Sequence, residues 1–163
     1  MSMMKKAIFA VAALGMSTAP AYAATISSPA VSASADVTSG SVAVTIWGLF
    51  SVTCGVTMDG SVTSTTQVTF TSGTSTGTNC NSGPGGAGAV QYPIVANSTS
   101  TSVITVDHFH LTTPVGVCEW YDVPLNYNNS TGVATIPSGL ADGPCSSISG
   151  TLQTGSSQVV LAP

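Results

Sequence analysis

The sequence predicts an all-β domain, an antiparallel sandwich or barrel stapled by two disulfides. Three observations carry this expectation. Apolar residues alternate with serine and threonine over long stretches, clusters of Gly, Pro, Asn and Ser separate those stretches, and no window carries a helical period. The cysteine count adds the staples.

The alternation is clearest in VAVTIWGLFSVTCGVTMDGSV, residues 42–62. Val42, Val44, Ile46, Phe50, Val52, Cys54, Val56, Met58 and Val62 share one parity, and Ser41, Thr45, Ser51, Thr53, Thr57, Asp59 and Ser61 hold the other. This describes two half-buried strands broken or bulged near Gly48, with the first set facing a core. Threonine on the outer face favours strand without bringing charge. Trp47 has the opposite parity to the Val42–Ile46 face, so Trp47 with Leu49 is a candidate exposed contact for carbohydrate or hydrocarbon. Further strands are expected at 67–71, 91–96, 103–111, 115–127, 132–136, 147–154 and 158–161. The Gly-rich stretch 72–89 reads as a loop. Its GPGGAG is followed by no Lys-Ser/Thr pair and opens no helix, which excludes a phosphate cradle.

Residues 1–23 combine a lysine-bearing start (MSMMKK), a short apolar run (AIFAVAALGM) and a small-residue junction (APAYA), the pattern of a secretory signal peptide. Export to the periplasm, the cell surface or the medium is therefore expected. No later stretch is long and apolar enough to predict a transmembrane helix. Residues 24–40, ATISSPAVSASADVTSG, read as an extended or disordered lead-in, and residues 41–163 as a single β-domain.

Lys5 and Lys6 are the only basic residues besides the two histidines. Cleavage after residue 23 leaves six carboxylates against no lysine or arginine, a net charge of −6 with neutral histidines. Such a chain has no cations to exchange against phosphates, which excludes nucleic acid and anionic lipid headgroups as partners. Serine and threonine, 44 of residues 24–163, supply the polarity instead. Low-charge, Thr-rich strands without edge lysines are also templates for edge-to-edge pairing, so self-association is expected.

Cys54, Cys80, Cys118 and Cys145 form no CxxC pair, and an even count in an exported chain points to disulfides. Of the three pairings, Cys54 with Cys80 and Cys118 with Cys145 is favoured, because each then closes over one or two neighbouring strands. Each loop would contribute about 3.5 kcal/mol through chain entropy.

The chemically densest segment is VDHFHLTTPVGVCEWYD, residues 106–122. His108 and His110, two apart on a strand, share a face and are weak candidates for half a metal site. A third ligand must come from elsewhere, and only one of Glu119 and Asp122 can approach them if the following strand pairs as a hairpin. The bland alternative is two solvent-facing histidines on a polar strand. Parity puts Asp107 opposite the histidines and sets Glu119 and Asp122 on opposite faces, which excludes a glycosidase pair. Trp120 shares a face with Cys118 and is expected in the core. The serines lie in no GxSxG elbow. No catalytic residue and no cofactor is expected.

The order of landmarks ATIS, SVTCGVTMDGSV, TPVGVC, CSSISGTL and VVLAP resembles small secreted bacterial proteins of the alkane oxidation protein activator, PraB-like family. The likeness spans nearly all of residues 24–163, with the GPGGAGA and EWYD segments departing from it. It implies an exported β-protein tied to growth on hydrophobic substrates and to the cell surface or biofilm matrix, with no catalytic residues to carry over. The expectation is an exported, non-catalytic surface or matrix protein, structural or adhesive. The alternatives are a chaperone-usher pilin, which would lack a strand, or a carbohydrate- or hydrocarbon-binding module.

Overall fold

A computed structural model describes residues 24–78, 80, 90–113, 116–155 and 159–163. Residues 1–23, expected to be a signal peptide, and the GPGGAG stretch lie outside the described residues. The strands are β1 (Thr25–Ser28), β2 (Val37–Ile46), β3 (Phe50–Ser64), β4 (Gln67–Thr76), β5 (Ile94–Ser100), β6 (Val103–Thr113), β7 (Gly116–Asn128), β8 (Val133–Asp142), β9 (Cys145–Thr154) and β10 (Val160–Ala162). β2 to β9 form a closed antiparallel barrel in sequence order, and β1 pairs with β10 in a separate two-stranded sheet. The described residues contain no helix.

Closure follows from a ladder between the first and last barrel strands, where Val42 faces Gly150 and Val44 faces Ile148. Inward-facing Val42, Val44, Ile46, Cys54, Val56, Met58 and Val62 are buried, as the alternation predicts. Outward-facing hydroxyls pair across strands, Thr57 with Thr74 at 2.8 Å, Thr63 with Thr69 at 3.1 Å and Thr99 with Thr105 at 3.3 Å. These pairs take the place of surface charge. An apolar interior and a polar outer wall are the reverse of a membrane-spanning barrel. No described helix is long and apolar enough to cross a membrane.

The interior is packed. An apolar space of about 70 Å³ within it is lined by side chains such as Val68, Ile94, Phe109 and Ile148. That is about half the roughly 150 Å³ of an engineered cavity that accepts benzene. Eight strands leave an interior of the size that side chains fill.

Both disulfides have the favoured connectivity, Cys54–Cys80 and Cys118–Cys145. Cys118 and Cys145 are fully buried, and Trp120 is in the core beside Phe109, ring centroids 6.0 Å apart.

The segment 24–40 is extended, but it is built into the fold. Thr25–Ser28 is β1, Ala24 and Ala35 are buried, and the boundary placed at residue 41 falls inside β2. The pairing of Thr25 with Ala162 joins the two ends of the described chain. Closure narrows the expectation of open strand edges: every barrel strand has a partner on each side, although β4 meets β5 only over Gln67–Phe70 and β7 meets β8 only over Asn126–Asn128.

Phe50 is a further correction. Its parity predicted an inward side chain, yet it is 61% exposed. It adjoins the left-handed Trp47–Gly48 turn at the tip of the β2–β3 hairpin and is exposed although Ile46, opposite it in the ladder, is buried. Alternation also resets in the β6–β7 hairpin. Asp107 and His108 are both exposed, as are Tyr121 and Asp122, and Asp122 takes a positive φ of 52°. Asp107 is therefore on the solvent side with the histidines and not on the opposite face, and Glu119 and Asp122 do not lie on opposite faces of their strand.

Candidate functional site

The barrel has two distinct ends. The turns β3–β4, β5–β6 and β7–β8 lie at the end covered by β1 and β10, where Ile26 N–H donates to Thr65 C=O at 2.6 Å. Asn129 there exchanges two hydrogen bonds with the Leu161 backbone, at 2.8 and 2.9 Å. Val159 and Leu161 are buried, and the Tyr127 hydroxyl donates to Val159 C=O. Burial pushes that hydroxyl above the ordinary tyrosine value of 10.0, against a pull downward from a hydrogen bond with Thr154.

At the opposite end β2 meets β3, β6 meets β7 and β8 meets β9, and the described residues of this rim include exposed apolar side chains. Trp47 is 58% and Leu49 77% exposed, beside Phe50. The turn is tied down: Leu49 N–H donates to Ile46 C=O at 3.0 Å and Trp47 N–H to Pro144 C=O at 2.8 Å. Gly48 N–H donates to Ser146 Oγ at 2.9 Å, and that hydroxyl donates to Thr45 C=O at 3.1 Å. Pro144 also lies beside Gly116, whose neighbour Val117 is exposed. The rim thus brings Trp47, Leu49, Phe50 and Val117 to one end of the molecule.

Trp47 has φ 52° and Gly48 φ 70°. Glycine adopts this left-handed region freely, whereas a bulky side chain there costs on the order of 1–2 kcal/mol. Backbone strain of this kind persists where the surrounding structure enforces it, and it clusters at functional positions. Parity pointed to Trp47 and Leu49. It missed Phe50 and Val117, for which nearness to a turn was the only signal.

A second cluster lies on the outer wall. Strand pairing sets His110 opposite Glu119 and His108 opposite Tyr121. Glu119, and not Asp122, is the carboxylate that meets the histidines: its Oε1 is 3.1 Å from His110 Nδ1 and 3.9 Å from His108 Nε2. Tyr121 stacks parallel on His108 at 4.5 Å and its hydroxyl donates to Glu119 Oε2 at 3.4 Å. The negative charge of Glu119 is the main reason the Tyr121 hydroxyl is held above its ordinary value, with smaller upward contributions from desolvation, this hydrogen bond and Asp142. Asp142 accepts from Glu119 N–H at 2.9 Å.

Fold and rim together define a small disulfide-stapled β-barrel with a polar wall, a filled interior and one apolar end. The chain belongs to the alkane oxidation protein activator family, PraA/PraB-like, whose family model matches residues 1–162. That description is of an activator and not of a catalyst. No curated protein and no solved structure matches the chain.

Proposed function

We propose that the protein is an exported, non-catalytic component of the cell surface or biofilm matrix that engages hydrophobic substrates through its apolar rim. The observation that carries this reading is the ordered, strained turn that holds Trp47, Leu49 and Phe50 in solvent. Covering three such side chains would release about 4–6 kcal/mol, at roughly 1.5–3 kcal/mol for each full burial and less for side chains already part-covered. A filled interior favours contact with the outside of a hydrocarbon phase over uptake of single molecules. Hydrocarbon is favoured over carbohydrate because Ser146, the hydroxyl beside the tip, is committed to Gly48 and Thr45. A sugar needs free polar partners as well as an aromatic face.

A pilin awaiting a donor strand fits less well, since the chain itself supplies all eight barrel strands. Rim-to-rim contact is the favoured route to self-association, since closure pairs every barrel strand on both sides over at least part of its length.

Pendant-drop tensiometry at a hexadecane–water interface tests the reading. Wild type should lower the interfacial tension at concentrations where the triple variant W47S/L49S/F50S has little effect. Equal activity of the two, with both folded by circular dichroism, would refute the rim as the contact.

A further inference from the structure

The outer-wall cluster has a chemistry unrelated to the rim, and nothing in the family description assigns it. We propose that His108, His110 and Glu119 form a binding site for a borderline divalent cation, zinc or copper(II), with its remaining coordination positions open to solvent.

The argument begins with donor placement. One ligand atom from each of the three side chains lies within 4.8 Å of the others. Bonds of about 2.0–2.1 Å in a tetrahedral arrangement separate donor atoms by about 3.3 Å. His110 Nδ1 and Glu119 Oε1, at 3.1 Å, already have that spacing. His108 Nε2, at 3.9 Å from the same oxygen and within 4.8 Å of the His110 ligand atom, must move closer to both. His108 is exposed enough to make that shift by side-chain rotation.

Donor type selects the ion. Two imidazoles with one carboxylate suit zinc and copper, whereas calcium and magnesium require oxygen cages. The surroundings restrict the ligands: Tyr121 holds the His108 ring by stacking and reaches the second oxygen of Glu119, while Asp142 anchors the Glu119 backbone. Such outer partners orient ligands and add to affinity. His110, with its side chain 12% exposed, is held in the wall and its Nε2 is buried without a hydrogen-bond partner. Its available nitrogen is therefore Nδ1, the one that faces Glu119. The described residues include no lysine or arginine, so none competes with a cation for this carboxylate.

Isothermal titration calorimetry of the chain, purified with both disulfides formed, against zinc chloride and copper(II) chloride at neutral pH tests the site. One ion per chain is expected, with H108A and E119Q each weakening binding by about tenfold or more, the scale on which loss of ligand support acts. Copper(II) should broaden the NMR signals of residues 108–110 and 119–121 selectively. Both variants replace side chains at least two-fifths exposed, so folding should survive, and circular dichroism checks that it does. No saturable binding at millimolar ion would overturn the proposal. So would binding that folded H108A and E119Q leave unchanged, which would mean only that ions collect on scattered carboxylates.

Discussion

At one end of the barrel the chain folds β1 and β10 over the opening and buries Ala24, Val159 and Leu161; at the other the wall stops in turns and leaves Trp47, Leu49 and Phe50 in water. The capped end is secured by hydrogen bonds from Asn129 and Tyr127 to the last strand and the residue before it. The rim is secured by covalent bonds, with Cys118–Cys145 beneath its turns and Cys54–Cys80 joining β3 to the segment after β4. Among the described residues, β1 and β10 cover one end while the other keeps these apolar side chains exposed. The staples supply at the rim the rigidity that burial supplies at the cap, so apolar side chains can remain outside without the turns giving way.

Removing a staple should break this arrangement most severely. Cys118→Ser with Cys145→Ser is expected to destabilise the chain by about 3–4 kcal/mol, since the bond closes a loop with a sequence separation of 27. Urea unfolding measures the loss. Hydrogen exchange should rise first at the β6–β7 and β8–β9 turns and leave β1 and β10 protected; uniform loosening would show that the ends are not independent.

At the cap, Tyr127→Phe should cost about 1–3 kcal/mol, because it leaves the Val159 carbonyl without its donor. The same hydroxyl makes the cap sensitive to alkali. Its folded value lies above the ordinary 10.0, so the folded state holds the proton longer than the unfolded chain. The stability it contributes is complete below pH 10 and is lost as pH rises through the folded value. Tyr92, raised by burial and then by Asp59, and Tyr121 shift the same way, so the informative quantity is the difference from Tyr127→Phe. Thermal midpoints between pH 9 and 11 should fall less steeply in the variant, around the ordinary value of 10.0.

The smallest effect has the opposite sign. Trp47→Gly relieves a left-handed backbone at the rim and should leave stability unchanged or raise it by up to about 1 kcal/mol, while weakening adsorption to hexadecane. A marked loss of stability would show that the indole supports the turn, and the contrast between the two ends would then narrow.

Much of the wall was legible from a period of two. Val42 to Val62 alternates in sequence and in burial, because each side chain's face is set by its neighbours along the strand. The pattern failed at Phe50, beside the left-handed tip of the hairpin, and around Asp107 and Asp122, where the alternation resets. The His108–His110 pair was visible as spacing. Its partner was not, since choosing Glu119 over Asp122 depends on the β6–β7 register.

The sequence by itself determined the all-β class, the favoured disulfide pairing, the outward placement of Trp47 and Leu49 and the family likeness. These follow from local alternation, cysteine spacing and short motifs, none of which requires knowing which strands meet. Tertiary structure decided that the sheet closes into a barrel, that Thr25–Ser28 finds Val160–Ala162, and that one end is capped while the other exposes Trp47, Leu49 and Phe50. Those outcomes depend on backbone pairing between residues more than a hundred positions apart, and a strand's own side-chain pattern specifies which face is buried but not which neighbour it joins.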